Sequence, residues 1–392
     1  MKVLIVGAGL GGLRTAEALR SNGFSGEIVI VGDETHQPYN RPPLSKQALN
    51  SGLSHEDLKF RQRDSVADVS WVLGSAAVKL DLADQKVVLA NGTSHAFDAL
   101  VISTGIRPRL LPIPGPTQGL FTLRTLNDAQ SLKAALQPGV NVVILGSGFI
   151  GCELAATATI LGANVHVVSL DTEPMIVPMG ANLGAAMRKR HETKGVTFHL
   201  GHTVEKFNGD QHIESVTLDS GEVITASVVV EAIGSVPNTE WLSGNGLNLD
   251  DGVLVDSNMR ALGAHIPIYA VGDTSHHPNK FYGDQTRRIE HWNMPTETGK
   301  RAGAALAAEL AGRDLPTDEF FALPAFWSDQ YEYQLQSYGL PGAGISHRVA
   351  SGALDGACIV EYFDEAGVLC GVIGIDTVKE LMPYRTQFMG AK

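Results

Sequence analysis

The sequence predicts an α/β fold in which two similar β-α-β units precede a small α+β domain. The first unit begins with the apolar run Lys2–Val6, continues through a helical stretch and reaches a second apolar run at Glu27–Val31. The same order returns at Asn141–Leu145, with a second strand at 164–168. Apolar, β-branched runs of this kind are typical of parallel strands that are buried on both faces of a sheet. The repetition therefore indicates one architectural unit that occurs twice.

The elements between and after the paired strands follow from the same patterns. Helical stretches at 13–21 and 151–161 lie between the two strands of each unit, and Gly23 and Gly162 end them. Short alternating strands predict an antiparallel excursion in each half: 69–73, 77–80, 86–89, 99–103, 214–218 and 228–232.

The last part of the chain has a different pattern. An Ala- and Gly-rich helix at 297–311 precedes a charged loop in which Pro316 marks a boundary. Beyond that loop, aromatic and polar positions alternate in short strand-like pieces such as 358–363 and 368–375. We expect a small α+β domain there.

Composition excludes several classes of protein. The 392 residues carry 42 acidic and 30 basic side chains, a net charge of −12, so a nucleic-acid binder or a protein of anionic membranes is not expected. The sequence contains no run of eighteen apolar residues, so no helix is expected to span a bilayer. Three cysteines are too few for a disulfide framework or for an iron–sulfur cluster with four cysteine ligands, so we expect no metal site. The low cysteine content also favours a protein of the reducing cytoplasm. Any redox centre must then be a bound organic cofactor.

The first glycine motif is Gly7-x-Gly9-x-x-Gly12, directly after a strand and directly before a helix. In that position the glycines permit a tight turn and a close approach of backbone N–H groups to a pyrophosphate. Asp33 follows 21 residues after Gly12, with Glu34 beside it, where an acid that binds a ribose is expected. The motif predicts a Rossmann-type dinucleotide site, and a plain glycine-rich turn is the alternative.

A second motif, Gly146-x-Gly148-x-x-Gly151, repeats this arrangement. Two such motifs in one chain indicate either hydride transfer between two dinucleotides or a duplicated fold with one idle site.

Further blocks of sequence resemble a known family over essentially the whole chain. The family is that of the FAD-dependent, NADH-using ferredoxin reductases of oxygenase systems, and the blocks stand in its order: Pro38-Tyr-Asn-Arg-Pro-Pro-Leu-Ser-Lys46, Thr104-Gly105 with Arg107-Pro108-Arg109, 233–238, Tyr269-Ala-Val-Gly-Asp273 and Phe326-Trp-Ser-Asp-Gln-Tyr331. The resemblance implies a discontinuous FAD domain (1–110 and 236–315), an NADH domain (111–235) and a C-terminal interface domain (316–392).

The resemblance also implies which residues contact the cofactors. FAD would be bound by Gly7, Gly9, Gly12, Asp33, Glu34, Arg41, Lys46, Val78, Thr104, Gly105, Arg124, Asp273, Glu290, His291, Trp292 and Trp327. NADH would be bound by Gly146, Gly148, Ile150, Gly151, Glu153, Ser169, Asp171, Ile233 and Gly234.

Three of these residues are candidates for a catalytic role. Lys46 follows a Pro-Pro turn, and its ammonium would stabilise the negative charge that a flavin gains on reduction. Glu153, in the first turn of the second helix, would pair with Lys46, although an acid there also suits a helix N-terminus. Trp327, the third candidate, would cover the flavin or pass electrons, or else belong to the core. The same two interpretations apply to Trp292 among the FAD contacts.

The cysteines argue for direct electron exit from the flavin. No cysteine occurs before Cys152, whereas disulfide reductases of this superfold place a redox pair after the first β-α-β unit or in the NAD domain. Cys152 itself stands alone and is expected to be a small buried residue. The expected reaction is hydride transfer from NADH to FAD, followed by single-electron transfers to a [2Fe-2S] ferredoxin that serves a Rieske dioxygenase or a cytochrome P450.

Two alternatives remain open. One is a reductase of rubredoxin or of a small quinone-like acceptor. The other is an NADH-sensing flavoprotein similar to apoptosis-inducing factor, and a homodimer is compatible with either. For the partner, Arg287 and Arg288 are candidates for docking an acidic ferredoxin.

The second unit also bears on which nicotinamide is used. Ser169 stands where many relatives have the Glu that excludes NADPH, but Asp171 lies 20 residues after Gly151, at the spacing of a ribose-binding acid. Glu173 adds negative charge. We therefore expect NADH to be preferred over NADPH, by a smaller margin than in relatives that carry the Glu.

Overall fold

A computed structural model describes residues 1–283 and 285–390 of the chain. The chain divides into two compact units, each built from several segments. Unit 1 comprises Met1–Asn40, Leu58–Arg107 and Val236–Pro324, and unit 2 comprises Arg41–Asp57, Pro108–Ser235 and Ala325–Lys392.

In the described residues the α-helices are α1 Leu10–Ser21, α2 Gln47–Ser51, α3 His55–Leu58, α4 Leu126–Ala135, α5 Phe149–Ile160, α6 Ile176–Met179, α7 Ala181–Thr193, α8 Met294–Leu310 and α9 Met382–Gly390. The strands are β1 Lys2–Val6, β2 Glu27–Val31, β3 Ser70–Val72, β4 Ala77–Asp81, β5 Lys86–Leu89, β6 Ser94–Ala96, β7 Ala99–Ile102, β8 Ile106–Pro108, β9 Leu120–Thr122, β10 Asn141–Leu145, β11 Asn164–Ser169, β12 Thr197–Leu200, β13 Val204–Asn208, β14 Ser215–Leu218, β15 Val223–Thr225, β16 Val228–Glu231, β17 Ser235–Pro237, β18 Val253–Leu254, β19 Ile268–Ala270, β20 Ser275–Pro278, β21 Thr286–Arg287, β22 Ala325–Gln330, β23 Tyr333–Gly339, β24 Ser346–Gly352, β25 Cys358–Phe363 and β26 Leu369–Ile375.

Unit 1 is built on a parallel sheet in the order β19-β7-β1-β2-β3. Apart from Lys2 and Glu27 at their first positions, the central strands β7, β1 and β2 are apolar and buried, as the sequence predicted for a sheet that is covered on both faces. Helices α1 and α8 pack closely against each other. A Cβ atom on Gly303 of α8 would lie 2.5 Å from the Cβ atom of Ala18 and 2.8 Å from the carbonyl oxygen of Thr15. Only glycine permits this approach of the two helices.

Unit 2 contains a second parallel sheet, in the order β12-β11-β10-β16-β9. The C-terminal residues form an antiparallel sheet, β22-β23-β26-β25-β24, followed by α9. A hydrophobic cluster joins this antiparallel sheet to α5 and α7: Cys152, Met175, Met179, Leu183, Met187, Phe326, Leu335, Val360 and Ile373 are among its buried members. The predicted α/β class and the small C-terminal α+β element are thus confirmed.

The antiparallel excursions are smaller than the sequence predicted. They are formed by β4-β5-β6 in unit 1 and β13-β14-β15 in unit 2. The predicted strands at 69–73, 99–103 and 228–232 instead contribute β3, β7 and β16 to the parallel sheets. β7 and β16 are buried at every residue, which is typical of inner parallel strands and not of hairpin strands, so this part of the prediction was wrong.

Among residues 1–283 and 285–390, no helix has the length and hydropathy needed to cross a bilayer.

Candidate functional site

The first glycine motif forms the turn between β1 and α1 in unit 1. Gly7 has a φ of +120°, and a Cβ atom there would lie 2.0 Å from the carbonyl oxygen of Ser103. A Cβ atom on Gly12 would lie 2.3 Å from the carbonyl oxygen of Gly7. Gly9 is different, since nothing among the described residues lies within 4 Å of its Cβ position. Two glycines therefore close the turn, and the third leaves open space on the side from which a ligand approaches.

The N-terminus of α1 offers hydrogen-bond donors to that open space. Gly9 is the N-cap residue, and no side chain of the described residues caps the helix or places an acid in its first turn. The first N–H groups of a helix have no partner within the helix, and they favour a negative charge. The turn thus fits the pyrophosphate of a dinucleotide.

Asp33 lies two residues beyond the end of β2, at the carboxyl edge of the same sheet. Its side chain is exposed and accepts a hydrogen bond at 3.0 Å from the backbone N–H of Glu34. The Glu34 carboxylate accepts one from the hydroxyl of Tyr39 at 2.5 Å. The carboxylate of Asp33 is therefore exposed at the position predicted for a ribose contact. The carboxylate of Glu34 instead forms a hydrogen bond within unit 1.

A second group of predicted FAD contacts lies after β7 and β19 in unit 1. The hydroxyl of Thr104 donates to the carbonyl oxygen of Asn238 at 2.7 Å, and the Asn238 amide donates back to the Thr104 carbonyl oxygen at 3.0 Å. Gly105 follows with a φ of +63°, and its carbonyl oxygen accepts a hydrogen bond from Thr274 at 3.2 Å. Asp273 precedes Thr274 in a short 3-10 helix. Thr104, Gly105 and Asp273 are thus brought to one end of the sheet.

The segment before α8 holds three more predicted contacts. Glu290 forms an ion pair with Arg288. Burial lowers the pKa of His291 to about 4, so its imidazole is neutral at neutral pH. Trp292 is 41% exposed, and its indole N–H donates to Oδ1 of Asn40 at 3.0 Å. The exposure of Trp292 is greater than expected for a core residue, which favours the functional interpretation.

Val78 and Arg288 of unit 1 differ in their exposure and in their contacts. Val78 is 51% exposed, at a point where the register of β4 shifts. Arg288 has a side chain only 12% exposed and forms ion pairs with Asp251 and Glu290, so its charge is neutralised within the unit. Arg287 remains the stronger candidate for docking a partner.

The second glycine motif, in unit 2, has the geometry of the first. Gly146 has a φ of +99°, and a Cβ atom there would lie 2.3 Å from the carbonyl oxygen of Ala232. A Cβ atom on Gly151 would lie 2.1 Å from the carbonyl oxygen of Gly146, whereas Gly148 again has open space. Gly148 is the N-cap of α5, with no capping side chain among the described residues. The two turns are therefore suited to the same kind of ligand.

A cleft of about 520 Å³ lies over the second motif. Predicted residues that line it are Gly146, Gly148, Ser169, Asp171, Ile233 and Gly234. Ile150, Gly151 and Glu153 are not in its lining. Ile150 is 44% exposed in the first turn of α5, whereas Gly151 and Glu153 are buried. Ser169 is the last residue of β11 rather than the residue after it.

The cleft has two cationic or ionisable side chains that sequence reasoning did not assign. Arg109 lines it and donates to the carbonyl oxygen of Ser235 at 3.3 Å. His202 lines it and pairs with Asp219 at 2.9 Å. Arg109 could have been predicted, because it belongs to the Arg107-Pro108-Arg109 block that resembles the family. No local sequence pattern marks His202 as a residue of the cleft.

Lys46 and Glu153 meet inside unit 2, as predicted. Lys46 follows the 3-10 helix Pro42–Ser45, and its Nζ donates to Oε1 of Glu153 at 3.0 Å. The hydroxyls of Ser45 and Ser328 also donate to this carboxylate, at 2.5 Å and 2.7 Å. Glu153 is 6% exposed. A buried carboxylate with three donors is held in one orientation, and it holds the ammonium in turn.

The other predicted FAD contacts of unit 2 are near the same segment or on the C-terminal sheet. Arg41 donates from Nη1 to the carbonyl oxygen of Arg124 at 2.7 Å. Trp327 is half-buried on β22, opposite Gln336 of β23. The residues predicted for FAD thus divide between the two units.

All three cysteines are free thiols within the described residues. Cys152 is fully buried, and burial raises the pKa of its thiol. No group of three or more His, Cys, Asp or Glu side chains in residues 1–283 and 285–390 is arranged to hold a metal ion.

Comparison with known proteins agrees with this geometry. Residues 1–299 match the family model described as pyridine nucleotide-disulphide oxidoreductase. The chain belongs to this family. Residues 325–391 match a second model, described as reductase C-terminal.

Several similar proteins are named as reductases of ferredoxins or of dioxygenase systems. The chain is 35% identical to rhodocoxin reductase of Rhodococcus erythropolis, over 98% of this chain and 88% of that protein. It is 34% identical to putidaredoxin reductase of Pseudomonas putida, over 90% of this chain and 83% of the relative. Among solved structures, the covalent putidaredoxin reductase–putidaredoxin complex matches with a TM-score of 0.89 and 31% identity, covering 98% of this chain and 92% of that one. The chain is an oxidoreductase of a family that uses FAD and NADH.

Proposed function

We propose that the protein is an NADH-dependent ferredoxin reductase, which passes electrons through FAD to a [2Fe-2S] ferredoxin that serves a Rieske dioxygenase or a cytochrome P450. The observation that carries the proposal is the pair of glycine turns with the same geometry, one in each unit. One turn takes the dinucleotide that stays bound, and the other takes the dinucleotide that is exchanged.

FAD supplies the chemistry that connects the two-electron donor to a one-electron acceptor. The contribution of the chain is to bind and orient. The α1 turn and Asp33 hold one dinucleotide, and the α5 turn with Asp171 holds the other. Lys46, fixed by Glu153, places a positive charge where negative charge develops during hydride transfer.

The cysteines support direct transfer to the partner. Although the family is named for a disulphide, Cys152 is buried and its thiol stays protonated, and neither Cys358 nor Cys370 has formed a disulfide. We therefore propose that electrons leave without a thiol intermediate. Free thiols also suit the cytoplasm, where we place the protein.

The test is reduction of an electron carrier by the purified protein. With NADH and cytochrome c, we expect rapid cytochrome reduction only when a [2Fe-2S] ferredoxin is added. Heat or acid should release FAD into the supernatant, because Cys152, the cysteine next to Glu153, is fully buried with a protonated thiol and is not expected to attach covalently to a flavin. A protein that reduces no ferredoxin but dimerises when NADH binds would instead be a sensor.

Rubredoxin is the second acceptor to include. The chain is 32% identical to rubredoxin-NAD(+) reductase of Pseudomonas putida, over 86% of each protein. Rubredoxin should be added in a parallel reaction, and a higher kcat/KM with rubredoxin than with every ferredoxin tried would reassign the acceptor.

A further inference from the structure

A line of hydrogen bonds leads from Glu153 into the C-terminal sheet of unit 2. Ser328 on β22 donates from Oγ to Oε1 of Glu153 at 2.7 Å, and Gln330 on the same strand donates from Nε2 to Ser328 Oγ at 3.0 Å. Oε1 of Gln330 lies 2.7 Å from Nε2 of His191 on α7. Ser328, Gln330 and His191 have no solvent exposure. Solvent therefore cannot replace these partners.

Each N–H or O–H group in this chain of hydrogen bonds donates in the direction of Glu153. A carboxylate only accepts, so Ser328 donates to it, and the oxygen of Ser328 accepts from the Gln330 amide. The Gln330 carbonyl must then accept from His191, which fixes the imidazole proton on Nε2. Burial lowers the pKa of His191 to about 4, so the ring is neutral and Nδ1 is left to accept. The hydroxyl of Tyr331 lies 3.3 Å from that Nδ1 atom.

Tyr331 is held in place at the far end of the line. Its φ of +55° lies in the left-handed region, which is strained for a residue with a side chain. Its ring stands edge-on to the His191 ring, with centroids 5.1 Å apart. Burial raises the pKa of Tyr331 to about 12, so the hydroxyl keeps its proton and can donate to His191.

The orientation of Glu153 matters because Lys46 has a second acidic neighbour. Oδ2 of Asp329 lies 3.8 Å from Lys46 Nζ, and the Asp329 side chain is 40% exposed. The Ser45 hydroxyl holds one oxygen of Glu153, and the Ser328 hydroxyl holds the other, which is the oxygen that contacts Lys46. Without Ser328, that oxygen keeps only the lysine as a partner, and the ammonium is free to move toward Asp329.

We propose that Ser328 is a positioning residue for hydride transfer, which holds Glu153 against Lys46, and that Gln330 and His191 fix the direction of its hydroxyl. The proposal rests on the proposed function only in taking NADH as the hydride donor and FAD as the acceptor. It places a determinant of the reductive half-reaction in the C-terminal sheet, on a side chain that touches neither cofactor motif.

The chain offers a matched control for Ser328. Ser337 lies on the neighbouring strand β23, has no solvent exposure, and its Oγ has no hydrogen-bond partner among the described residues. Ser328→Ala and Ser337→Ala remove the same atom from the same sheet, but only the first removes a donor to Glu153. Ser328→Thr keeps the hydroxyl and is the rescue variant.

The measurement is stopped-flow reduction of the FAD-bound protein by NADH, without ferredoxin. We expect Ser328→Ala to lower the limiting rate about 10- to 100-fold, as the loss of a hydrogen bond to a charged group implies. The Kd for NADH should change less than about two-fold, because the nucleotide cleft is untouched. Ser328→Thr should recover most of the rate, and Ser337→Ala should match the wild type.

A second measurement does not depend on turnover. Thermal unfolding midpoints of the FAD-bound chain are compared for Ser328→Ala, Glu153→Gln and the double variant, since such a cycle isolates the coupling between two residues. We expect the shift caused by Ser328→Ala to shrink in the Glu153→Gln background, while that of Ser337→Ala stays the same.

Equal limiting rates for Ser328→Ala and Ser337→Ala would overturn the proposal, as would a slow Ser328→Thr variant or additive midpoints in the cycle. The failure of the proposed function would give a different result from the failure of this proposal. It would leave NADH-driven flavin reduction intact and abolish only the transfer to ferredoxin.

Discussion

The backbone N–H of Asp171 donates to Oγ of Ser169 at 3.2 Å, at the carboxyl end of β11. The hydroxyl of Ser147, in the second glycine motif, donates to the same oxygen at 2.9 Å. The proton of Ser169 points to Oδ2 of Asp171 at the long distance of 3.5 Å. Ser169 is therefore engaged by protein groups, and we expect the carboxylate of Asp171, which lines the cleft, to be the acceptor for a ribose.

Asp171→Ala should narrow the preference for NADH over NADPH. A carboxylate accepts hydrogen bonds from the ribose hydroxyls and repels a 2′-phosphate, and loss of a hydrogen bond to a charged group costs about 1.5–3 kcal/mol. We expect kcat/KM for NADH to fall about ten-fold or more, and kcat/KM for NADPH to fall less or to rise. Steady-state kinetics with both nucleotides give the ratio.

Asp210→Ala is the control for the nucleotide preference, because Asp210 is an exposed acid outside the cleft. A wild-type enzyme that prefers NADPH would contradict the assignment of Asp171. We expect Glu173 to contribute little to this preference, because Arg188 pairs with it. Arg188 donates to both of its carboxylate oxygens, at 2.8 Å and 3.2 Å, so its charge is balanced.

Lys46→Ala should slow flavin reduction far more than it weakens NADH binding. The ammonium acts on charge that develops only as the hydride arrives, and loss of one such donor costs about 2.7–4 kcal/mol, or 100- to 1000-fold in rate. Stopped-flow bleaching near 450 nm gives the limiting rate. Lys206→Ala, on the exposed side of β13, is the control. An unchanged rate in a Lys46→Ala protein that still binds FAD would reduce Lys46 to a structural residue.

The parts of the site that the sequence predicted are those fixed by short-range geometry. Gly7 and Gly146 were recognisable because a turn between a strand and a helix needs a positive φ, and that requirement is local. Lys46 and Glu153 could be paired only through the family resemblance, since they are 107 residues apart in the sequence.

What the sequence did not reveal depends on packing. Ser328 and His191 look like an ordinary serine and histidine, and their roles appear only when β22 and α7 lie beside α5. The ion pair of Arg288 with Asp251 joins residues that are 37 positions apart in the sequence, so an exposed basic pair was the natural expectation. Long-range hydrogen bonds of this kind leave no periodic trace in a single sequence.

Cys152→Ala should leave ferredoxin reduction within about two-fold of the wild type. The thiol is fully buried, and burial raises its pKa, so it cannot act as the nucleophile of a disulfide relay. Ser147 is its hydrogen-bond partner through a carbonyl oxygen at 3.3 Å, a weak contact. A loss of turnover with intact flavin reduction would show that a thiol carries electrons after all.

Stability should fall as the pH drops from about 6.5 toward 4. Burial lowers the pKa values of His191, His277 and His291 to about 4, whereas an unfolded histidine titrates near 6.5. In that window the unfolded chain binds more protons than the folded one, so the stabilisation present above pH 6.5 is lost progressively. Thermal midpoints at several pH values measure the slope.

His277→Gln should flatten the pH slope of the midpoint, because it removes one of the three histidines whose pKa is lowered to about 4. His212→Gln, at an exposed histidine, should leave the slope unchanged. A midpoint that is constant between pH 7 and 4.5 would contradict the burial of neutral histidines.

Arg287→Ala should weaken association with an acidic ferredoxin, whereas Arg288→Ala should mainly lower the unfolding midpoint. Arg287 donates to the neutral amide of Gln285 at 2.6 Å, so its charge stays available to a partner, whereas Asp251 and Glu290 neutralise Arg288. A charge at the rim of an interface acts mostly on association, so we expect KM for ferredoxin to rise about three- to ten-fold and its salt dependence to weaken. Arg61→Ala, at an exposed arginine of unit 1, is the control. If Arg287→Ala and Arg61→Ala give the same KM at low and high salt, docking uses another surface, because a charge that contacts the partner must lose part of its effect when salt screens it.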